Sequence, residues 1–220
     1  MTKTPYRHLI WDWNGTLLDD LDYSIGVMNG LLRRRSLPEM DRARYHDIFD
    51  FPVQNYYARL GFDATRDDFH SLSVEFIAGY DEHRWDCALH RSARATLDAV
   101  QRSGTSQSLL SAYRDATLRE IVGHFELTHY FRELAGLDNI YAHSKVELGR
   151  RQLARLAVPP ADIVLIGDTV HDLEVARELG VDCVLVAAGH HPAEKLRRNH
   201  ERVVDSLSEL PLVPGLEFLR

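Results

Sequence analysis

Beyond about Leu89 the chain alternates short apolar runs with amphipathic segments, and turn-forming residues break each run. The spacing predicts a helix over Ala93 to Arg102, stopped by Ser103-Gly104, then a strand over Ser108 to Leu110 that ends in Ser111. A helix from Asp115 to His124 follows, then a strand near Ile140-Tyr141 and a helix from Val146 to Leu156 that closes before Pro159-Pro160. Asp162 to Ile166 is a buried strand broken by Gly167-Asp168. Asp172 to Leu179 is a helix capped by Gly180, and Cys183 to Val186 is a strand broken at Ala188-Gly189. The tail, Arg202 to Leu210, supplies an edge strand and a turn of helix. One more apolar run, Tyr6 to Trp11, opens the chain and breaks at Asn14-Gly15. Alternating strands and helices with short connections dictate an α/β fold with a three-layer, Rossmann-like parallel sheet.

One interval departs from this pattern. Leu21 to Arg35 has helical periodicity, with Ile25, Met28, Leu31 and Leu32 on one stripe. From there to Trp85 strand-like runs vanish, and aromatic and charged residues mix at helical spacing over Arg42 to Phe49, Val53 to Leu60 and Arg66 to His83. Pro38, Pro52 and Gly61 punctuate them. The expectation is an all-helical insertion over residues 20–86, within an α/β core made of residues 1–19 and 87–220.

Composition narrows the function classes. The formal charge of -7 disfavours a nucleic-acid or anionic-membrane partner. No apolar run approaches the length of a membrane span, and the first residues lack the apolar region of a signal peptide. Two distant cysteines, Cys87 and Cys183, without metal-binding spacing fit buried thiols in a reducing compartment, so a cytoplasmic location is expected. Oligomeric state leaves no trace in the sequence.

Four polar signals fall at strand ends or helix starts: Asp12, Ser111, Lys145, and Asp168 with Asp172. Right-handed crossovers bring the carboxyl ends of parallel strands to one edge, so the four converge on one crevice. Singly, each has an ordinary explanation: Asp12 as a turn or cap residue, Ser111 as a turn residue, Lys145 as a surface lysine, the acidic pair as a capped helix with a solvated face. Together they carry chemistry. Three carboxylates in one pocket raise each other's pKa values, and a hard divalent cation such as Mg²⁺ relieves the repulsion. A hydroxyl and an ammonium suit phosphoryl oxygens. Lys145 is one of only three lysines in a chain that uses arginine freely.

In this order and spacing the motifs resemble those of the haloacid dehalogenase-like hydrolase superfamily, in its phosphoglycolate phosphatase-like branch. Asp12-Trp13-Asn14-Gly15-Thr16 is similar to the first motif, Asp-x-Asp-Gly-Thr, except at Asn14. Ser111 matches the second, Lys145 the third, and Gly167-Asp168-Thr169-Val170-His171-Asp172 the fourth, Gly-Asp-x-x-x-Asp. The helical insertion resembles the family's cap, and Val184 to Leu196 the loop after its fifth core strand.

The resemblance implies a Mg²⁺-dependent phosphatase acting on a small phosphorylated metabolite, with phosphoglycolate-like phosphomonoesters as the model. Asp12 is the implied nucleophile, forming an aspartyl-phosphate. Asp12, the Asn14 backbone carbonyl, Asp168 and Asp172 are the implied metal ligands. Ser111, Lys145 and the Gly15-Thr16 segment are implied to hold the phosphoryl group, and closure of the cap to exclude water.

Asn14 breaks the pattern. Family phosphatases carry an Asp there as general acid and base, and a carboxamide cannot exchange a proton near neutral pH, a loss worth ~10²–10⁴-fold. Three explanations stand open: a slow phosphatase favouring good leaving groups, a fold used for binding or regulation with little catalysis, or another acid–base residue. His143, His171, His190 and His191 lie near the predicted edge, where an exposed loop histidine is the plainer expectation. The acidic pair argues against a metal-free dehalogenase. The lack of a lysine in the insertion argues against a phosphonate-cleaving Schiff-base enzyme, and Asn14 against a phosphomutase. The aromatic and amide residues Phe51, Gln54, Asn55 and Tyr56 are the insertion's candidates for facing substrate.

Overall fold

The computed structural model describes residues 4–63, 65–137 and 145–219. Strand β1 (His8–Trp11) is buried along its whole length, as a continuous apolar run in a parallel sheet requires. A tight turn follows, then the two-residue strand β2 (Leu18–Asp19). Four helices come next: α1 (Leu21–Arg34), α2 (Arg42–Ile48), α3 (Val53–Leu60) and α4 (Phe69–His83). The chain returns through β3 (Ala88–Leu89) and continues as α5 (Ala93–Arg102), β4 (Ser106–Arg114), α6 (Asp115–His124) and β5 (Leu134–Leu137). It closes with α7 (Lys145–Leu156), β6 (Ile163–Gly167), α8 (Val170–Leu179), β7 (Asp182–Val186), α9 (Ala193–Asn199) and β8 (Val203–Val204).

Two compact units result. Met1–Asp19 with Ala88–Arg220 form one, and Asp20–Cys87 form the other. In the first, a six-stranded parallel sheet runs in the order β5-β4-β1-β6-β7-β8. The strand sequence moves outward from β1 through β4 to β5, then returns to β6 on the other flank of β1. This reversal creates a switch point beside β1, and in open α/β sheets ligands bind outside the carboxyl ends of strands at such a point. Ile10, Leu110, Leu165, Leu173, Val175, Leu179 and Leu185 form the buried core between sheet and helices. β2 and β3 pair antiparallel, Leu18 with Leu89 and Asp19 with Ala88, so the chain's exit from this unit and its return lie side by side.

In the second unit the regular secondary structure among the described residues is all helical. Leu21, Met28, Leu31 and Leu32 of α1 pack with Tyr45, Tyr56, Tyr57, Leu60 and Leu72. Tyr56 belongs to this core, 3% exposed, while Gln54 and Asn55 are exposed. Tyr45 stacks on Phe49 with centroids 4.7 Å apart.

Some sequence expectations shift. The strand expected near Ile140-Tyr141 lies outside the described residues, and the strand that follows α6 in the sheet is β5, Leu134–Leu137. The strand expected to end at Ser111 runs on to Arg114, because β4 bulges against β5. Leu110 pairs with Ala135 and the next partner pair is Arg114 with Leu137. Both cysteines are buried and neither is in a disulfide. No described helix is long and apolar enough to cross a membrane.

Candidate functional site

Asp12 extends the β1 ladder by one residue, its amide donating to the Ile166 carbonyl at 2.9 Å. The next residues fold into a tight turn: the amides of Thr16, Leu17 and Leu18 all donate to the Trp13 carbonyl, and that of Gly15 to the Leu18 carbonyl. Gly15 has φ +72°, in the left-handed region, and a Cβ there would lie 2.3 Å from Asp168 Oδ2. Only glycine satisfies both the turn and the contact.

On the neighbouring strand, β6 ends at Gly167 and the chain opens into Asp168, with Thr169 capping α8. Asp168 and Asp172 therefore do not converge through helical spacing, since α8 begins at Val170. Asp172 is the third residue of a capping box. Its Oδ2 accepts from the Thr169 amide at 3.0 Å and the Thr169 hydroxyl at 2.6 Å, and its amide receives cover from Thr169 Oγ1. An acid in the first turn also suits the helix dipole. Its other oxygen, Oδ1, is left for the crevice.

Lys145 opens α7, whose buried positions Lys145, Gly149, Gln152 and Leu156 form one stripe. Gly149 lets α7 approach α8 closely, because a Cβ there would meet Leu179 Cδ1 at 2.7 Å. That approach delivers the Lys145 ammonium, 3% exposed, between two carboxylates: 2.5 Å from Asp12 Oδ1 and 2.6 Å from Asp172 Oδ1. Thr16 Oγ1 bridges the remaining pair, 3.0 Å from Asp168 Oδ1 and 3.4 Å from Asp12 Oδ2. Asp168 Oδ2 accepts from the His190 amide at 2.6 Å.

Three buried carboxylates thus face one ammonium, with oxygen atoms from Asp12, Asp168 and Asp172 all within 4.8 Å of one another. Burial raises the pKa of Asp12 more than Lys145 pulls it back, and Asp172 adds to the rise. For Asp172 the burial cost is overcome by Lys145 and by the Thr169 hydroxyl, so its pKa stays below the usual value. Burial alone would depress Lys145, yet the two carboxylates outweigh it and hold it cationic. Among the described residues, Asp168 has no ammonium beside it as Asp12 and Asp172 have. Burial pushes its pKa up, and of the neighbouring charges His190 opposes the rise while Asp12 and Asp172 reinforce it. An all-oxygen donor set with excess negative charge, kept dry at a strand end, fits a hard divalent cation.

Ser111 is buried, but its hydroxyl accepts from the Tyr113 amide at 3.0 Å inside the β4 bulge. The expectation of exposed loop histidines fails for two of the four. His190 and His191 are both buried, and His191 Nδ1 accepts from the Val170 amide at the start of α8. His171 is partly exposed on α8 and His143 lies outside the described residues. The sequence reading missed His90, whose Nε2 lies 3.0 Å from the Gly15 carbonyl. No motif surrounds it, and only the pairing of β2 with β3 brings it to the turn.

The sequence model of the haloacid dehalogenase-like hydrolases matches residues 9–186. Among curated proteins, the tyrosine-protein kinase PtkA of Mycobacterium tuberculosis is 25% identical over 211 residues, covering 91% of this chain and 71% of its own. A 5'-nucleotidase of Pseudomonas aeruginosa is 27% identical over 200 residues, 87% of each chain. Among solved structures, the haloacid dehalogenase-like hydrolase SP0104 of Streptococcus pneumoniae superposes with a TM-score of 0.81 at 16% identity, over 94% of this chain and 97% of that one.

Proposed function

The chain belongs to the haloacid dehalogenase-like hydrolase family, and from that premise we propose that it is a Mg²⁺-dependent phosphatase of small phosphomonoesters, with Asp12 as its nucleophile. The observation that carries this is the Asp12–Asp168–Asp172 cluster, in which one ammonium leaves buried negative charge unbalanced. Asp12, Asp168, Asp172 and the Asn14 backbone carbonyl would hold Mg²⁺. When bound, the ion supplies charge neutralisation at the phosphoryl oxygens and the nucleophile. Residues 1–19 and 87–220 are assigned as the catalytic core and 20–86 as the cap.

The chain's own groups divide the remaining work. Asp12 forms a bond to phosphorus while the bond to the leaving oxygen breaks, giving an aspartyl-phosphate. Lys145, held cationic by Asp12 and Asp172, orients the attacking carboxylate and offsets phosphoryl charge. Thr16 ties Asp12 to Asp168 and keeps the two carboxylates in register. Ser111, buried near the end of β4, is assigned to phosphoryl binding once its hydroxyl leaves the bulge. Asn14 supplies no proton to the leaving group and takes none from water. Leaving groups stable as anions therefore react best, and the aspartyl-phosphate outlives the usual intermediate of such enzymes.

Asn14 also favours a second reading, a protein that binds phosphate compounds with little turnover. The 25% identity to a protein named as a tyrosine kinase is in keeping with chemistry other than brisk hydrolysis. A panel of phosphorylated metabolites and 4-nitrophenyl phosphate, assayed with and without Mg²⁺, separates the two. Mg²⁺-dependent phosphate release supports the phosphatase. Mg²⁺-dependent phosphate binding without release supports the second reading, and neither response overturns both.

A further inference from the structure

We propose that His90 is a positioning residue for the nucleophile turn, holding the Gly15 peptide so that Asp12 and Asp168 keep their reactive separation. The proposal rests on the phosphatase reading for its kinetic consequence, though not for its structural one.

His90 is mounted on three sides. Its amide donates to the Leu17 carbonyl at 2.9 Å, its carbonyl accepts from the Ala93 amide at 2.9 Å as α5 begins, and β3 immediately precedes it. Ala93, Thr96, Leu97 and Val100 of α5 are buried, so the mount is part of the packed core. From this base the imidazole reaches back to the turn, with Nε2 3.0 Å from the Gly15 carbonyl. That carbonyl oxygen can only accept, so Nε2 carries the hydrogen and the tautomer is set. Nδ1 is 4.0 Å from Asp19 Oδ2, an added attraction whenever the ring is cationic.

The Gly15 peptide is where a small shift matters most. Gly15 packs against the carboxylate of Asp168 so closely that a methyl would overlap it, and the same turn carries Thr16, the bridge between Asp168 and Asp12. The Thr16 amide side of this peptide is held by the Trp13 carbonyl, and the imidazole adds a restraint on the Gly15 carbonyl side. Loosening that side shifts the glycine against Asp168 and the threonine hydroxyl against its two partners. His90 touches neither nucleophile nor substrate and acts through Gly15. Displacements of about 1 Å at a reacting centre cost up to ~10²-fold in rate.

The far side of the ring offers a test. His90 forms part of the wall of a cavity of about 280 Å³, lined also by Arg91, Ser92, Ala188, Ser206 and Leu207. Because His90 itself lines this cavity, the space left by truncating its ring adjoins the cavity, and added imidazole is the probe for that space.

The experiment compares wild type with His90→Ala, His90→Leu and His90→Gln, reading 4-nitrophenyl phosphate turnover with Mg²⁺ and amide hydrogen exchange over residues 13–18. The Ala and Leu variants are expected to lose roughly 10-fold or more in kcat with KM little changed, because Gly15 aligns the reacting groups rather than binding substrate. His90→Gln keeps a donor and retains most of the activity, and added imidazole partly restores His90→Ala but leaves wild type unaffected. Amides of Gly15 to Leu18 should exchange about 10-fold faster in the Ala and Leu variants, while those of β1 stay protected. Wild-type kcat and protection in folded His90→Ala overturns the proposal, as does a loss that neither glutamine nor imidazole relieves. If wild type turns over no phosphomonoester, the phosphatase reading fails, and the exchange data still decide the role of His90.

Discussion

The two units place their polar groups in opposite ways. In the α/β unit, charged groups are buried and converge: Asp12, Asp168, Asp172 and Lys145 are each less than a tenth exposed, at the ends of strands and starts of helices. In the helical unit, charge sits mostly on the surface. Arg42 pairs with Asp22 and Arg33 with Glu39 among exposed side chains, while leucines and tyrosines fill the interior. Its one buried carboxylate, Asp20, is satisfied by the Tyr80 hydroxyl at 2.7 Å. Burying a charge is costly unless it is paired. Among the described residues the α/β unit accepts that cost at the Asp12–Asp168–Asp172 cluster, the place proposed above as the functional site. The helical unit accepts almost none, as expected of a region whose folding is its own packing.

Substitutions sharpen this contrast. Asp12→Asn should abolish phosphomonoester turnover, by at least ~10⁴-fold, since nothing else can form the phosphoenzyme. Thermal melting should leave the variant's fold intact, because one of three crowded carboxylates has been neutralised. A large drop in melting temperature would mean that the cluster is structural. In the helical unit the converse holds. Leu32→Ala empties a fully buried site and should cost about 2–5 kcal/mol of stability in denaturant unfolding. Mg²⁺ binding by the folded fraction, read by calorimetry, should be unchanged, and a lost Mg²⁺ site would tie the units together more tightly than their separate cores imply.

Asn14→Asp acts at the boundary between proton chemistry and positioning. Restoring a carboxylic acid should raise alkyl-phosphate turnover by ~10²-fold and matter less for 4-nitrophenyl phosphate, whose leaving group needs no proton. Mass spectrometry of quenched wild type should find phosphate on Asp12, and less of it in the variant. A variant no faster than wild type would mean that another group already serves as acid and base.

A more gradual effect, spread over a range of pH, comes from a buried titratable group away from the site. His8 is fully buried on β1, its ring nitrogens 2.7 and 2.8 Å from the hydroxyls of Ser106 and Ser108. Burial, with a lesser push from Arg132, lowers its pKa from 6.5 to about 4. The unfolded chain therefore binds a proton at higher pH than the folded one. His8 stability is complete above about pH 6.5 and is lost as pH falls toward 4, by about 3 kcal/mol. Urea unfolding at pH 7 and pH 4.5 should show the decline, and His8→Gln should flatten it.

Much of the α/β architecture was legible because its signals are local. Apolar runs such as Asp162 to Ile166 end in glycine and aspartate, and helices such as Ala93–Arg102 end in a serine-glycine stop, so period and punctuation sufficed. The motif residues Asp12, Lys145, Asp168 and Asp172 were nameable for the same reason. What resisted was set by pairing between strands. The bulge that carries β4 past Ser111 exists only against β5, and no property of Ser108 to Arg114 announces it. His90 was invisible because a lone histidine after Leu89 has no meaning until β3 lies beside β2.

The sequence by itself determined which side chains stand at the strand ends, since alternation and turn residues place them there whatever the packing. The tertiary structure decided their charge relations. Lys145 enters between Asp12 and Asp172 because α7 can approach α8 at Gly149, and Asp168 meets the turn after Asp12 because Gly15 lacks a side chain. The imbalance of three carboxylates on one ammonium is a matter of distances under 5 Å between residues far apart in the chain. Coulomb energies at that range are fixed by packing and burial, which a linear order of residues does not contain.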